Sequence, residues 1–291
     1  MPAECDGVDL HMHTRYSDGL DTPAQLVEKA AQQALGTIAI TDHDTVEALP
    51  EAQRAGQQHG VEVLAGIELT VQYGDDHDIH VLGYLFDPQH QGLQSRLRHM
   101  QDYRVQRGFE ILSRVNVRLT QRGKAPIERD QVLQYVQGAL TRPHIAQALI
   151  AQGYVHSTEE AFREYLIACD VPKAPLPPEE AFDLIAQAGG VCSLAHPGTI
   201  SADPVVLESL LKTFSAMGLS GVEVYHHCHY PTSIDFFLTC ARRYGLMVTG
   251  GSDYHGRPYG TALGYIAPEF AIPEYVLIEL RRTHATATES A

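Results

Sequence analysis

The sequence predicts an α/β barrel-like domain of seven strands, interrupted by an inserted helical subdomain. Three observations predict it. Seven short runs are rich in Val, Ile and Leu and nearly continuous in hydrophobicity, as buried parallel strands are. Amphipathic stretches with a proline near the start and a glycine at the end separate several of them. Residues 89–172 carry no strand-like run, and "VPKAPLPP" (171–178) closes them with four prolines. Alternating strand and helix implies a parallel sheet, and seven strands in one series favour closure over an open sheet. The barrel is expected from 1–88 and 173–291, with 89–172 as the insertion.

The strand runs are "VDLHMH" (8–13), "TIAIT" (37–41), "VEVLAGIE" (61–68), "IHVLGY" (79–84), "GVCSLAH" (190–196), "GVEVYH" (221–226) and "LMVTGG" (246–251). "TPAQLVEKAAQQALG" (22–36) has a Thr cap, Pro at the first helical position and a terminal Gly. "VEALPEAQRAGQQHG" (46–60) ends in Gly, with Pro50 read as an interruption. "PPEEAFDLIAQAGG" (177–190) and "PTSIDFFLTCARRYG" (231–245) repeat the same grammar. The tail "THATATESA" reads as frayed.

Composition bounds the function. The chain has 291 residues, 44% of them apolar, as in ordinary globular proteins. No apolar run approaches the ~18 residues of a membrane helix. The N-terminus lacks a basic start and an apolar core, so no signal peptide is expected. Cys5, Cys169, Cys192, Cys228 and Cys240 are scattered without a CxxC, which suits idle thiols in a reducing cytoplasm. A net charge of −15 argues against a broad nucleic-acid-coating surface.

Sixteen histidines are many for this length, and their placement matters more than their number. Strand residues i and i+2 share a face, so His11 and His13 point together at a strand end. His43 lies in "TDHD", Glu68 ends the third run and His196 ends the fifth. Asp253 and His255 follow the seventh, and Asp18 follows the first. His80 stands at a strand start and requires a tilted or bulged strand to join them. Barrel active sites are built at the strand-end face. Nine N/O donors exceed the needs of one ion, so two or three ions are expected, with a carboxylate such as Glu68 or Asp253 bridging. The absence of sulfur disfavours a structural zinc site, and clusters of this kind activate water for hydrolysis.

"HMHTRYSDG", "ITDHD", "GIE", "IHVLGY", "AHP" and "GGSDYHG", in this order, resemble the PHP (polymerase and histidinol phosphatase) family. The resemblance covers about 1–88 and 180–260. It implies a distorted (β/α)7 TIM-like barrel whose two- or three-metal centre hydrolyses phosphoesters. By motif, it implies that His11, His13, Glu68 and Asp253 hold one ion. Glu68, His80 and His196 would hold a second, and Asp18, His43 and His255 a third. Some members have histidine where this chain has Asp18. Manganese is the first expectation, with zinc or iron as alternatives. "LTRPHIAQALIAQGYV" and "GVEVYHHCH" look like the stand-alone bacterial PHP phosphatases. Members of that group remove the 3′-phosphate of 3′,5′-bisphosphonucleotides, and related members trim short RNA from the 5′ end. The resemblance also favours His229 as a proton donor or substrate contact.

The insertion points to an anionic substrate. Residues 94–124 hold eight Lys+Arg against Asp102 and Glu110. On a continuous helix, Arg104, Arg107, Arg114, Arg118 and Arg122 fall within about an 80° arc. Ile111, Leu112, Val115 and Leu119 lie beside it, facing a core. Arg104 and Arg107 are expected to clamp phosphate at the barrel mouth, since guanidinium matches phosphate bidentately. Thr141, Arg142 and His144 sit at a helix start, itself an anion site. Arg15 and Ser17 follow the first strand and are placed to reach a second phosphate. The expected reaction converts a 3′,5′-bisphosphonucleotide to the 5′-mononucleotide and phosphate. Its rivals are 5′-to-3′ exonuclease action on short RNA and histidinol phosphatase activity. No membrane and no stable protein partner are implied.

Overall fold

A computed structural model describes residues 7–74, 76–136, 140–172, 174–256 and 262–289. Contacts divide the chain into two compact units, one from residues 1–95 with 175–291 and one from 96–174.

The first unit is built on a seven-stranded sheet in sequence order. Its strands are β1 (Gly7–Asp9), β2 (Leu35–Ile40), β3 (Glu62–Tyr73), β4 (Asp76–Tyr84), β5 (Val191–Leu194), β6 (Gly221–Tyr225) and β7 (Met247–Gly250). The sheet closes on itself. Beyond β1 and β7 the two chains run side by side: Leu10 N–H donates to Gly250 O, His13 N–H to Tyr254 O and Asp253 N–H to His11 O (3.3, 2.9 and 2.8 Å). A Cβ on Gly251 would lie 2.1 Å from His11 Cβ, so only glycine permits this seam. Buried Val8, Ile40, Leu64, Val81, Val222 and Val248 make up part of its apolar core.

The sheet is not wholly parallel. β4 is antiparallel to both β3 and β5. β3 runs on past Glu68 to Tyr73 and turns back through Gly74, at φ +61°. A parallel crossover needs a dozen or more residues, which this connection does not have. The reversal brings the start of β4 to the face where the other strands end. His80 therefore needs no tilt or bulge.

Helices cover the sheet. They are α1 (Pro23–Gln32), α2 (Leu49–His59), α7 (Pro178–Gln187), α8 (Pro204–Ala216), α9 (Pro231–Tyr244) and α10 (Tyr275–Glu289). Thr22 caps α1 in a capping box with Gln25. Gly60 and Gly245 stop α2 and α9 in left-handed conformation. Pro50 sits in the first turn of α2 and starts that helix rather than interrupting it. The left-handed residue after α1 is Ala34, and Gly36 already belongs to β2. Residues 283–289 of the tail are helical, held in α10 by Val276 and Leu280, which are buried. A short hairpin, β8 (Tyr265–Ala267) with β9 (Phe270–Ala271), was not expected.

α3 (Gln91–Gln121) begins in the first unit and continues into the second. The second unit also holds α4 (Arg129–Leu133), α5 (Arg142–Ala151) and α6 (Thr158–Ala161), the last followed by a π-helical turn at Phe162–Leu166. As the periodicity predicts, Ile111, Leu112, Val115 and Leu119 are buried, packing in one core with Ile145, Leu149 and Tyr165. Among the described residues, no helix is long and apolar enough to cross a membrane.

Candidate metal centre

All nine predicted ligands converge, with Glu68 at the hub. Its side chain is 1% exposed. Oε2 lies 3.4 Å from His11 Nε2, 3.2 Å from His13 Nε2 and 3.2 Å from His43 Nδ1. Oε1 lies 3.0 Å from both His80 Nδ1 and His196 Nε2. Asp253 Oδ1 adds a second carboxylate, 3.3 Å from His11 Nε2 and 3.2 Å from His13 Nε2. Asp18 lies further out, its side chain 32% exposed. Its oxygens are 3.3 Å from His255 Nε2, 3.6 Å from His43 Nε2 and 3.7 Å from His13 Nδ1.

The fold explains this convergence. His11, His13, Asp253 and His255 lie on the seam that closes the barrel. Glu68 lies within β3, and His80 on β4 pairs with Thr70, so the two share one face as diagonal neighbours. His43 bridges to Glu68 from the loop after β2. His196 and Asp253 adopt positive φ, 26° and 54°, which costs of order 1–3 kcal/mol each.

The donor set fits divalent cations. His11 Nε2, His13 Nε2, His43 Nδ1 and His80 Nδ1 are buried and have no hydrogen-bond partner, although a carboxylate oxygen lies within 3.4 Å of each. Lone pairs and carboxylates facing one another without hydrogen bonds call for a cation between them. Two donors sharing an ion at about 2.0–2.2 Å, at octahedral or tetrahedral angles, lie about 3.0–3.5 Å apart. The separations around Glu68 match that spacing.

Without an ion, protons balance the charge. Burial would lower the His13 pKa, but Asp253 and Glu68 push it up to about 10. His11 is likewise raised against burial by Glu223, Asp253 and Glu68. Glu68 and Asp253 are held well below the carboxylate range, the surrounding imidazoles outweighing burial. His43 is pushed down to about 4 by burial.

Further groups hold the candidate ligands in place. His11 Nδ1–H donates to Glu223 (2.9 Å), and the same carboxylate accepts the His196 backbone N–H (2.7 Å). Asp42 accepts from the Thr14 N–H, the Thr14 hydroxyl and the Ser17 hydroxyl, fixing the loop that carries Asp18. Asp44 accepts from the Thr70 N–H and ties the His43 loop to β3. Asp9 accepts the backbone N–H groups of His11, Ser252 and Gly264. Of these four carboxylates, Asp42, Asp44 and Glu223 are visible in the sequence as strand-end acids without an assigned role, and Asp9 is not singled out. The available signal was a lone acid in an otherwise apolar buried strand, as with Glu223 in "GVEVY". A cavity of about 170 Å³ opens on the cluster, and its lining also includes His227 and Cys228.

The expected substrate residues fare unevenly. Ser17 is 2% exposed and its hydroxyl is bonded to Asp42, so it faces inward rather than toward a ligand. Arg15, two residues earlier, is exposed. His229 is a poor proton donor. Its Nδ1–H donates to Val224 O, its Nε2 accepts the Gly198 N–H, and burial pushes its pKa down to about 4. In the second unit, Arg107 Nη2 and Arg142 Nη1 share the carboxylate of Asp170 at 2.6 and 2.7 Å. Arg107 Nε donates to Val171 O and Arg114 Nη1 to Asp170 O. Thr141 and His144 form a capping box at the start of α5. Arg104 is half-buried on α3.

Residues 9–170 match the PHP domain family model. The chain belongs to the PHP family. It is 32% identical to a 3′,5′-nucleoside bisphosphate phosphatase of Chromobacterium violaceum, over 85% of this chain and 87% of that one. It is also 32% identical to the 5′-3′ exoribonuclease Rnm of Salmonella typhimurium, over 85% and 84%. A crystal structure from Bifidobacterium adolescentis, assigned to the metal-dependent phosphoesterases, superposes with a TM-score of 0.81 at 33% identity, covering 97% of each chain. PHP membership and the converging His, Asp and Glu side chains support metal-dependent phosphoester hydrolysis.

Proposed function

We propose that this PHP protein removes the 3′-phosphate from 3′,5′-bisphosphonucleotides, with adenosine 3′,5′-bisphosphate (pAp) giving AMP and phosphate. The observation that carries the reaction class is the convergence of five imidazoles on Glu68 within 3.4 Å. His11, His13, Glu68 and Asp253 would hold one ion, Glu68, His80 and His196 a second, and Asp18, His43 and His255 a third. When bound, the ions supply Lewis-acid stabilisation of the phosphoryl charge and activate water. Manganese is the first candidate, and zinc and iron also suit the N/O set.

The chain's own residues do the rest. The narrow cavity admits a phosphoryl group, being well under the ~300–1,000 Å³ of drug-sized sites. Arg142, paired with Asp170 and a quarter exposed, is the guanidinium offered to the second phosphate. Similarity to the C. violaceum phosphatase supports this substrate. Similarity to Rnm, at the same identity, supports a second reading, 5′-to-3′ trimming of short RNA. A cytoplasmic setting suits either substrate.

The test is phosphate release by Mn-loaded protein from pAp, beside AMP, 3′-AMP, histidinol phosphate and a 5′-phosphorylated oligoribonucleotide. A preference for pAp of tenfold or more is expected. Laddering of the oligoribonucleotide from its 5′ end at an equal or higher rate would replace the phosphatase reading with the nuclease one.

A further inference from the structure

Glu223 stands in the middle of β6, fully buried between Val222 and Val224. An isolated carboxylate there costs several kcal/mol unless its charge is met. Both oxygens are met, each by a different candidate ligand. Oε1 accepts from His11 Nδ1–H at 2.9 Å, and Oε2 accepts from the backbone N–H of His196 at 2.7 Å. Glu223 does not line the cavity, so it is placed to touch neither substrate nor ion.

We propose that Glu223 is a positioning residue that couples the two inner metal positions through His11 and His196. This rests on reading the cluster as a metal centre. A neutral imidazole carries one N–H and one lone pair. Donation from Nδ1 to Glu223 leaves the lone pair of His11 on Nε2, the atom that faces Glu68 and Asp253. His196 stands at φ +26°, a conformation that needs outside support. Glu223 holds its backbone, and its ring then reaches Glu68 Oε1 at 3.0 Å. The two rings stack at 5.7 Å, inclined by 24°. On the proposed ligand assignment His11 belongs with His13 and Asp253 and His196 with His80, and the side chains also bring His11, Glu68 and His196 within reach of one another. Glu68 contacts both histidines from the front, and Glu223 holds both from behind.

Glu223→Gln tests this with little change of shape. Both partners are donors, whereas an amide has one acceptor oxygen and one NH2. One partner must lose its acceptor and meet an N–H. Loss of such a supporting bond lowers metal affinity by about 10–100-fold. The expected result is a loss of that size for the two tightest ions together, read by calorimetric titration of Mn2+ or Zn2+ into stripped protein. Imidazole nitrogen NMR of the Zn2+-loaded protein should also show His11 losing its fixed Nδ1–H form. Thr249→Val is the folding control, since it breaks a buried hydroxyl pair with Ser193 in the same barrel (2.7 Å). It should lower the melting temperature and leave metal affinity unchanged. If the wild-type protein takes up no ions, the metal reading fails and the coupling with it. If the wild type binds ions and Glu223→Gln binds them within twofold, with His11 unchanged, the coupling is overturned and the centre stands. Equal losses in Thr249→Val and Glu223→Gln would also overturn it, as general loosening of the barrel.

Discussion

Replacing Glu68 by Gln removes one negative charge from the point where five imidazole nitrogens meet at 3.0–3.4 Å, leaving the shape nearly intact. Two unit charges about 4 Å apart interact by about 4 kcal/mol at an effective dielectric near 20. A divalent ion doubles that figure, and the desolvation of a carboxylate with 1% exposure offsets part of it. Removing one member of a buried ionic pair costs about 3–5 kcal/mol in practice. That is roughly a 10²- to 4 × 10³-fold loss of affinity for each ion that Glu68 touches. Because both oxygens are engaged, the loss should fall on the His11–His13 and His80–His196 positions at once. Equilibrium dialysis with elemental analysis reads the binding, and phosphate release at fixed free Mn2+ reads the consequence. The variant should retain at most one ion, at the more exposed Asp18 position, and release phosphate at least a hundredfold more slowly. If Glu68→Gln binds the wild-type number of ions within threefold in Kd, Glu68 is not the hub and the ligand assignment fails.

Metal uptake should release protons. His11 and His13 are held protonated in the stripped protein, His13 up to about pH 10, and must give up those protons to bind an ion. The logarithm of the binding constant should therefore rise with pH by up to about two per unit below that value, and calorimetry in buffers of different ionisation enthalpy will count the protons. Stability should follow the same groups in the stripped protein. A raised histidine pKa stabilises the fold below about pH 6.5, and this is lost as pH climbs toward 10. The depressed carboxylates stabilise it above about pH 4, and this is lost on acidification. The melting temperature of stripped protein should peak between these limits, while that of metal-loaded protein keeps rising past pH 7; parallel curves would refute this. His229→Asn should lower stability by about 1–3 kcal/mol, through the unpaired Gly198 N–H and Val224 carbonyl, and leave the alkaline and acid limbs of the pH–rate profile in place. A shifted limb would restore His229 as the proton donor. Arg142→Ala should raise KM for pAp by tenfold or more with kcat little changed, and leave KM for 3′-AMP alone. Equal effects on both substrates would remove the second-phosphate clamp.

Much of this architecture is legible because it rests on local rules. Proline near the start and glycine at the stop mark α9, and glycine at the stop marks α2, by proline's fixed φ and glycine's tolerance of positive φ. The 3.6-residue period puts Ile111, Leu112, Val115 and Leu119 into the helical core. The candidate ligands are legible because N/O donors gathered at strand ends, with His80 the exception, have no apolar reason to be there. The substrate residues are harder to read, because a side chain's partner is a tertiary fact. Ser17 looks like a loop hydroxyl until Asp42, 25 positions away, claims it. His229 looks like a free imidazole until both ring nitrogens meet backbone groups.

His80 shows how one topological fact reorganises a site. Placed at the start of a parallel strand, it would face the wrong end of the barrel. Its run is separated from Glu68 by ten residues, too few for a helical crossover. That spacing required a hairpin, and the alternation in "TVQYG" before the turn was available to support it. Once β4 runs backwards, its first residues lie where the other strands finish, and His80 comes within 3.0 Å of Glu68. A fully parallel barrel would supply no ligand from this strand. The position shared by Glu68 and His196 would then have one imidazole fewer and a more open coordination sphere. On the proposed assignment the antiparallel strand is therefore part of the chemistry, since it would complete the second ion's ligand set from within the sheet.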